Sequence, residues 1–241
     1  MPNDRMKLAI INHSKLPDDE VATHIAAVQE QMDKDVSPMW KVGVELIRIP
    51  KGDLPPANEC WMVYLDNADM AFALGYHDRT PSGHPMGKVF VETTLSAGSS
   101  VSRVLSHEVA ELMVNPNLNR IVLAEGKQYL VEVGDPLSLD EQGYYINGVL
   151  VSGIAYPDYF YRTGTNYDKN GHLKGPIPNP THGTFLMWLE NNQWQQKMFA
   201  TKGSEEEITK LKVANRPQNG SRRYRRILGE DQWCRSIVKT K

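Results

Sequence analysis

The run Ser106-His107-Glu108-Val109-Ala110-Glu111 lies inside a segment whose other residues are almost all apolar or small. A helix with that composition packs on more than one side, and whatever it packs against must accommodate an imidazole and two carboxylates. On a projection of about 100° per residue, with His107 at zero, Glu111 falls at about 40°, Asn115 at about 80° and Glu108 at about 100°. Leu112, Leu105, Val109 and Met113 fill the arc from about 140° to about 240°. The polar groups therefore share one arc and the apolar groups another. Ser99 and Ser100 supply an N-cap, and Asn115-Pro116 supplies a stop, because a residue before proline is pushed out of the helical region. The predicted helix runs from Val101 to Val114.

Buried carboxylates are normally paired or bound to a cation, since ionised groups are expensive to desolvate. His107 and Glu111, four residues apart, can present ligand atoms to one ion. A third ligand from a later element is what a tetrahedral zinc site with one open position requires. The segment Tyr129-Leu130-Val131-Glu132-Val133-Gly134-Asp135-Pro136 offers two such donors, Glu132 and Asp135. Sequence alone leaves the choice between them open. Without a metal, the same residues read as a solvated helix face, an alternating strand and a turn.

Ser106-His107-Glu108-x-x-Glu111 with Asn115-Pro116, followed by Glu132-x-x-Asp135-Pro136, resembles a group of phage and bacterial proteins of the zincin-like class. These carry H-E-x-x-E, an Asp-Pro after the helix and a later E-x-x-D. The resemblance covers residues 75–160. It implies that His107 binds zinc and that Glu108 activates water. The chain departs from the pattern at Asn115, where an aspartate is expected, and at Glu111, where the peptidases proper have a second histidine. Zincins also have an edge strand just ahead of the motif helix, against which an extended peptide can pair. The β-branched and aromatic run Lys88-Val89-Phe90-Val91-Glu92-Thr93-Thr94-Leu95 is predicted to be that strand.

These readings give an expected mechanism. His107, Glu111 and Glu132, with Asp135 as the competing donor, hold zinc, and Glu108 takes a proton from the attacking water. Carboxylate-rich donors also suit harder ions such as Mn²⁺ or Ca²⁺. The expected substrate is a peptide or protein. The alternative class is a non-catalytic virion or accessory protein, in which the motif survives as a structural metal site or an ion-pair network. Other histidines near the region are His77 and His84, in a turn-rich stretch before the predicted edge strand, and His182 after a proline-rich one; all three read more readily as surface residues than as ligands. Tyr144 and Tyr145 are candidates for stabilising an oxyanion.

Around the motif, residues 7–12, 42–49, 59–66 and 184–189 are predicted strands, and Asp18 to Lys34 an amphipathic helix. Alternating apolar residues recur over 121–133 and 144–154, the latter interrupted by Asn147-Gly148, a hairpin signal. Strands around one buried helix, without strict alternation, predict an α+β fold. Residues 161–182 read as a long loop or lid.

Charge is uneven. Residues 201–241 hold 11 of the 27 Lys+Arg and 5 of the 29 Asp+Glu, a balance of +6 that leaves −8 for residues 1–200. The expected organisation is a metal-binding domain over 1–200 and a basic appendage over 201–241. One short run, Arg222-Arg223-Tyr224-Arg225-Arg226, is weak ground for nucleic-acid binding, so the tail is read as a solvated end. No apolar run reaches membrane-spanning length, and the N-terminal residues lack a signal-peptide pattern. Two distant cysteines, Cys60 and Cys234, imply no disulfide framework. An intracellular product is expected, in a host cytoplasm or a virion if the gene is a phage's.

Overall fold

The structure is a computed structural model describing residues 5–57, 59–70, 73–80, 83–190 and 193–199. The basic tail expected over 201–241 lies outside the described residues. The architecture is α+β, with three sheets and one long buried helix.

The chain opens with β1 (Met6–Asn12), whose inner positions are apolar and buried, and then α1 (Asp18–Gln31). Three acids, Asp18, Asp19 and Glu20, occupy the first turn of α1, where they face the positive end of the helix dipole. The helix does not stop near Lys34 as the sequence suggests. It passes through a π-helical turn, Met32–Val36, into α2 (Ser37–Trp40), because Met32, Val36 and Trp40 keep facing the core. Next come β2 (Val44–Ile49), β3 (Cys60–Leu65), β4 (Gly75–Arg79) and β5 (Pro85–Phe90). These form one sheet in the order β2-β1-β3-β5-β4. All pairings are parallel except β4 with β5, which is antiparallel.

This overturns the reading of Lys88–Leu95 as an edge strand. The strand ends at Phe90 and the chain turns into α3 (Val91–Ser96), anchored where the amides of Glu92 and Thr93 donate to the Asp66 carbonyl. Local β-propensity yields to these tertiary bonds. β5 lies between β3 and β4, and the edge position belongs to β4.

α4 (Val101–Val114) has the predicted bounds, and all fourteen of its residues are buried. Ser100 Oγ accepts from the Arg103 amide, and Asn115 ends the helix ahead of Pro116. α4 lies against β4, β5 and α1 and against a small hairpin, β8 (Tyr144–Ile146) with β9 (Val149–Val151). In that hairpin Asn147 and Gly148 both have positive φ, as the turn signal predicts. Between them in sequence come β6 (Ile121–Ala124) and β7 (Lys127–Leu130), and the described residues continue with α5 (Pro157–Tyr161), β10 (Phe185–Glu190) and β11 (Gln193–Met198). β11-β10-β7-β6 make an antiparallel sheet.

Residues 162–182 are irregular but anchored: Leu173 and Ile177 are buried, and the Asp168 carboxylate accepts from the amides of Asn170, His172 and Leu173. The main core joins Leu8 and Ile10 of β1, Val28 of α1, Met62 and Tyr64 of β3, Val89 of β5 and Leu105, Val109 and Leu112 of α4. No helix among the described residues is long and apolar enough to cross a membrane.

Candidate metal centre

Three chain segments converge on the polar arc of α4. α4 itself brings His107, Glu108 and Glu111. β4 brings His77, and the stretch after β7 brings Glu132 and Asp135. All six residues are between 1% and 8% exposed.

Two close approaches of backbone bring these segments in. At Gly75 of β4, a β-carbon would stand 2.7 Å from Val104 Cγ1 and 3.0 Å from Glu108 Cγ, so only glycine lets β4 lie this near α4. At Gly134, a β-carbon would fall 2.5 Å from His107 Nδ1, inside the contact limit of the ring. The stretch between β7 and Asp135 is then tied down on both sides. Asn115 Nδ2 donates to the Val131 carbonyl at 3.0 Å while its Oδ1 accepts from the amides of Asn119 and Arg120. Val131 N donates to Arg120 O, and Ala155 N to Val133 O. Asn115 thus holds the Glu132 segment to the end of α4 by donating a hydrogen bond, which an aspartate could not do.

The donor atoms fall into two groups that share Glu111: His107 with Glu111 and Asp135, and His77 with Glu111 and Glu132. Within each, one ligand atom from every residue lies within 4.8 Å of the others. In the first, His107 Nε2 is 3.2 Å from Glu111 Oε1 and 3.4 Å from Asp135 Oδ1. In the second, His77 Nδ1 is 3.3 Å from Glu111 Oε2, and His77 Nε2 is 3.5 Å from Glu132 Oε2. Glu108 Oε2 lies on this side too, 3.6 Å from His77 Nδ1. A charge-assisted N–H···O bond prefers about 2.7–2.9 Å. Ligands about 2.0–2.1 Å from a tetrahedral ion are instead about 3.3 Å apart, which is the spacing around His107 Nε2. In the second group Glu111 and Glu132 face different nitrogens of the His77 ring, and the three residues are related by the wider limit of 4.8 Å.

Electrostatics agrees with a cation-seeking pocket. Burial by itself would lower the pKa of both histidines, but their carboxylate neighbours outweigh it. Glu132, Glu108 and Glu111 push His77 up to about 10, and Glu111 and Asp135 hold His107 well above its ordinary value. Burial would likewise raise the Glu111 carboxyl, yet the two histidines hold it far below the usual carboxylate range. Each imidazole is thus held as a cation among acids, the place a divalent ion would take.

Sequence reasoning weighed His77 as a ligand but favoured a surface loop residue; it lies at the middle of a strand and is buried. Its signal was Gly75, two residues before it. His84 and His182 are exposed. Tyr145 is 71% exposed, and the Tyr144 hydroxyl donates to Asp35 Oδ2 at 2.6 Å, so neither is placed as an oxyanion donor. Glu132 and Asp135, read as competitors for one position, each complete a different group. No protein-family model matches the chain, and no curated protein or solved structure matches it either.

Proposed function

We propose that this chain is a zincin-like, metal-dependent hydrolase of peptide bonds. The observation that carries the proposal is the ligand-like spacing of His107, Glu111 and Asp135 around one point, beside a second acid, Glu108, on the same helix. These residues fit a divalent cation: an imidazole and two carboxylates, buried, with Glu111 Oε1 further fixed by the amides of Gly134 and Asp135 at 3.2 Å. We assign zinc, with Mn²⁺ as the alternative that carboxylate donors favour.

A bound divalent ion supplies Lewis acidity and brings the pKa of a water to about 7. The chain's own residues supply the rest. His107, Glu111 and Asp135 hold the ion. Glu108, next to the first ligand but about 100° round the helix, takes the proton from the attacking water and returns it to the leaving amine. Gly134 and Asn115 keep the ligands in register.

Burial favours a second reading. With no ligand more than a tenth exposed, the centre also suits a structural metal site, saturated by protein donors. The two readings separate on Glu108→Gln, which preserves shape and removes the base. The hydrolase reading expects metal content and fold to persist while peptide cleavage falls by about 10²- to 10⁴-fold. If the wild-type protein, loaded with zinc, manganese or cobalt, cleaves nothing in a broad peptide library, or if the Gln variant cleaves equally well, the structural reading replaces it.

A further inference from the structure

We propose that the centre is dinuclear, with Glu111 as a bridge: one ion among His107, Asp135 and Glu111 Oε1, and a second among His77, Glu132 and Glu111 Oε2. The inference rests on the metal-centre reading above and adds to it a second ion and the ligand role of His77.

The first support is the division of Glu111. Its two oxygens face different imidazoles, Oε1 toward His107 at 3.2 Å and Oε2 toward His77 at 3.3 Å. One carboxylate oxygen for each ion is the arrangement that sets paired metals about 3.5–4 Å apart. A single ion on the His107 side would leave the His77 group, equally buried, without one.

The second support is independent of spacing. Glu111 is 1% exposed, and Oε1 accepts from two backbone amides, whereas Oε2 has no backbone donor and meets His77 Nδ1 at 3.3 Å without good hydrogen-bond geometry. A buried carboxylate oxygen without a donor is rare in folded proteins and calls for an explanation. Here the unsatisfied lone pairs point to the side where His77 and Glu132 wait.

Charge gives the third. Glu108, Glu111, Glu132 and Asp135 bring four carboxylates into a buried site. One divalent ion on the His107 side matches two of these charges and leaves the other two facing a single imidazole, His77, in a desolvated place; a second divalent ion matches both. The nearby buried cations are engaged in other pairs, Arg103 with Asp140 and Lys88 with Asp69.

The test is stoichiometry and coupling on the full chain. Protein stripped by chelator and titrated with zinc sulfate should take up about two equivalents, as read by elemental analysis and calorimetry. His77→Gln and Glu132→Gln should each take up about one. Glu111→Gln should lose most of both. Loaded with manganese chloride, wild type should give the multiline paramagnetic resonance spectrum of an exchange-coupled pair, which each of these variants abolishes. Folding is checked by circular dichroism, and because the wild-type count and spectrum need no variant, a misfolded mutant does not remove the test. One equivalent with an uncoupled manganese spectrum would overturn the dinuclear proposal and leave the single-ion centre standing. Two equivalents without coupling would overturn the bridge. No uptake would overturn both readings.

Discussion

Gly134 lies under the imidazole of His107 so closely that a β-carbon there would come within 2.5 Å of Nδ1 and 2.8 Å of Cε1. Backbone and ring are in direct contact, so the position of a proposed ligand is set by the absence of a side chain two segments away. Gly134→Ala must push the ring or the loop aside. Zinc affinity should fall by about 10- to 100-fold, the loss typical when the support of a ligand is disturbed, with the fold retained. Competition with a chromogenic chelator measures it, and wild-type affinity in the variant would show that the ring has room to move.

Asn115→Asp tests the other support. The change removes the donor to the Val131 carbonyl and places a charge where the residue is 1% exposed. Denaturant unfolding of the metal-free protein should show a loss of about 3–5 kcal/mol, the cost of a buried charge without a partner. Asn115→Ala should cost less, about 1–3 kcal/mol, because it leaves unsatisfied acceptors and no charge. A smaller loss for Asp than for Ala would contradict the role given to the amide.

Arg103 and Asp140 join the start of α4 to the turn before β8. Arg103 is 5% exposed and its Nε donates to Asp140, which also accepts from Ser99 Oγ at 2.6 Å and from the Ser100 amide at 2.9 Å. Asp140→Ala should destabilise the protein by about 3–5 kcal/mol, because it strands a buried guanidinium. Adding Arg103→Met should recover a large part of that loss. If the double variant is no more stable than the single one, the hydrogen bonds to Ser99 and Ser100, rather than the stranded charge, account for the cost.

His24 makes stability depend on pH below neutrality. Burial of its ring, on α1 beside Tyr64, lowers its pKa from 6.5 to about 4. The folded state therefore resists a proton that the unfolded chain accepts. Above pH 7 both states are neutral at this position and nothing is lost. As pH falls from 6.5 to 4, stability drops, approaching a total of about 3 kcal/mol from this group. Subtracting the pH profile of His24→Leu from that of wild type isolates the effect; parallel profiles across pH 4–7 would assign the acid sensitivity elsewhere.

Much of this molecule is legible in the order of its residues, and the rest is not for identifiable reasons. α4 is readable because its composition, its Ser100 cap and its Asn115-Pro116 stop all agree, and the Asn147-Gly148 hairpin because both turn residues tolerate positive φ. Val91 to Leu95 looks like strand and is helix, since its fate is decided by hydrogen bonds to Asp66, 25 or more residues earlier. That β4 and not β5 takes the sheet edge is a matter of strand order, which no local pattern encodes. His77 sits among turn-forming residues and is drawn into the centre only because β4 folds back antiparallel on β5. Asn115 looked like a defect in a motif until its amide was seen to hold the next segment.

The three segments that meet at Glu111, a strand, a helix and the stretch after β7, touch only when β4 has closed on β5 and the turn at Gly134 has docked under α4. The residues around an ion bound there are no more than 8% exposed, so a local parting of the edge strand would open the centre to a peptide and release the ion alike. The exchange rate of metal is then a clock for that opening, with amide protection in β4 and ion loss running at the same pace.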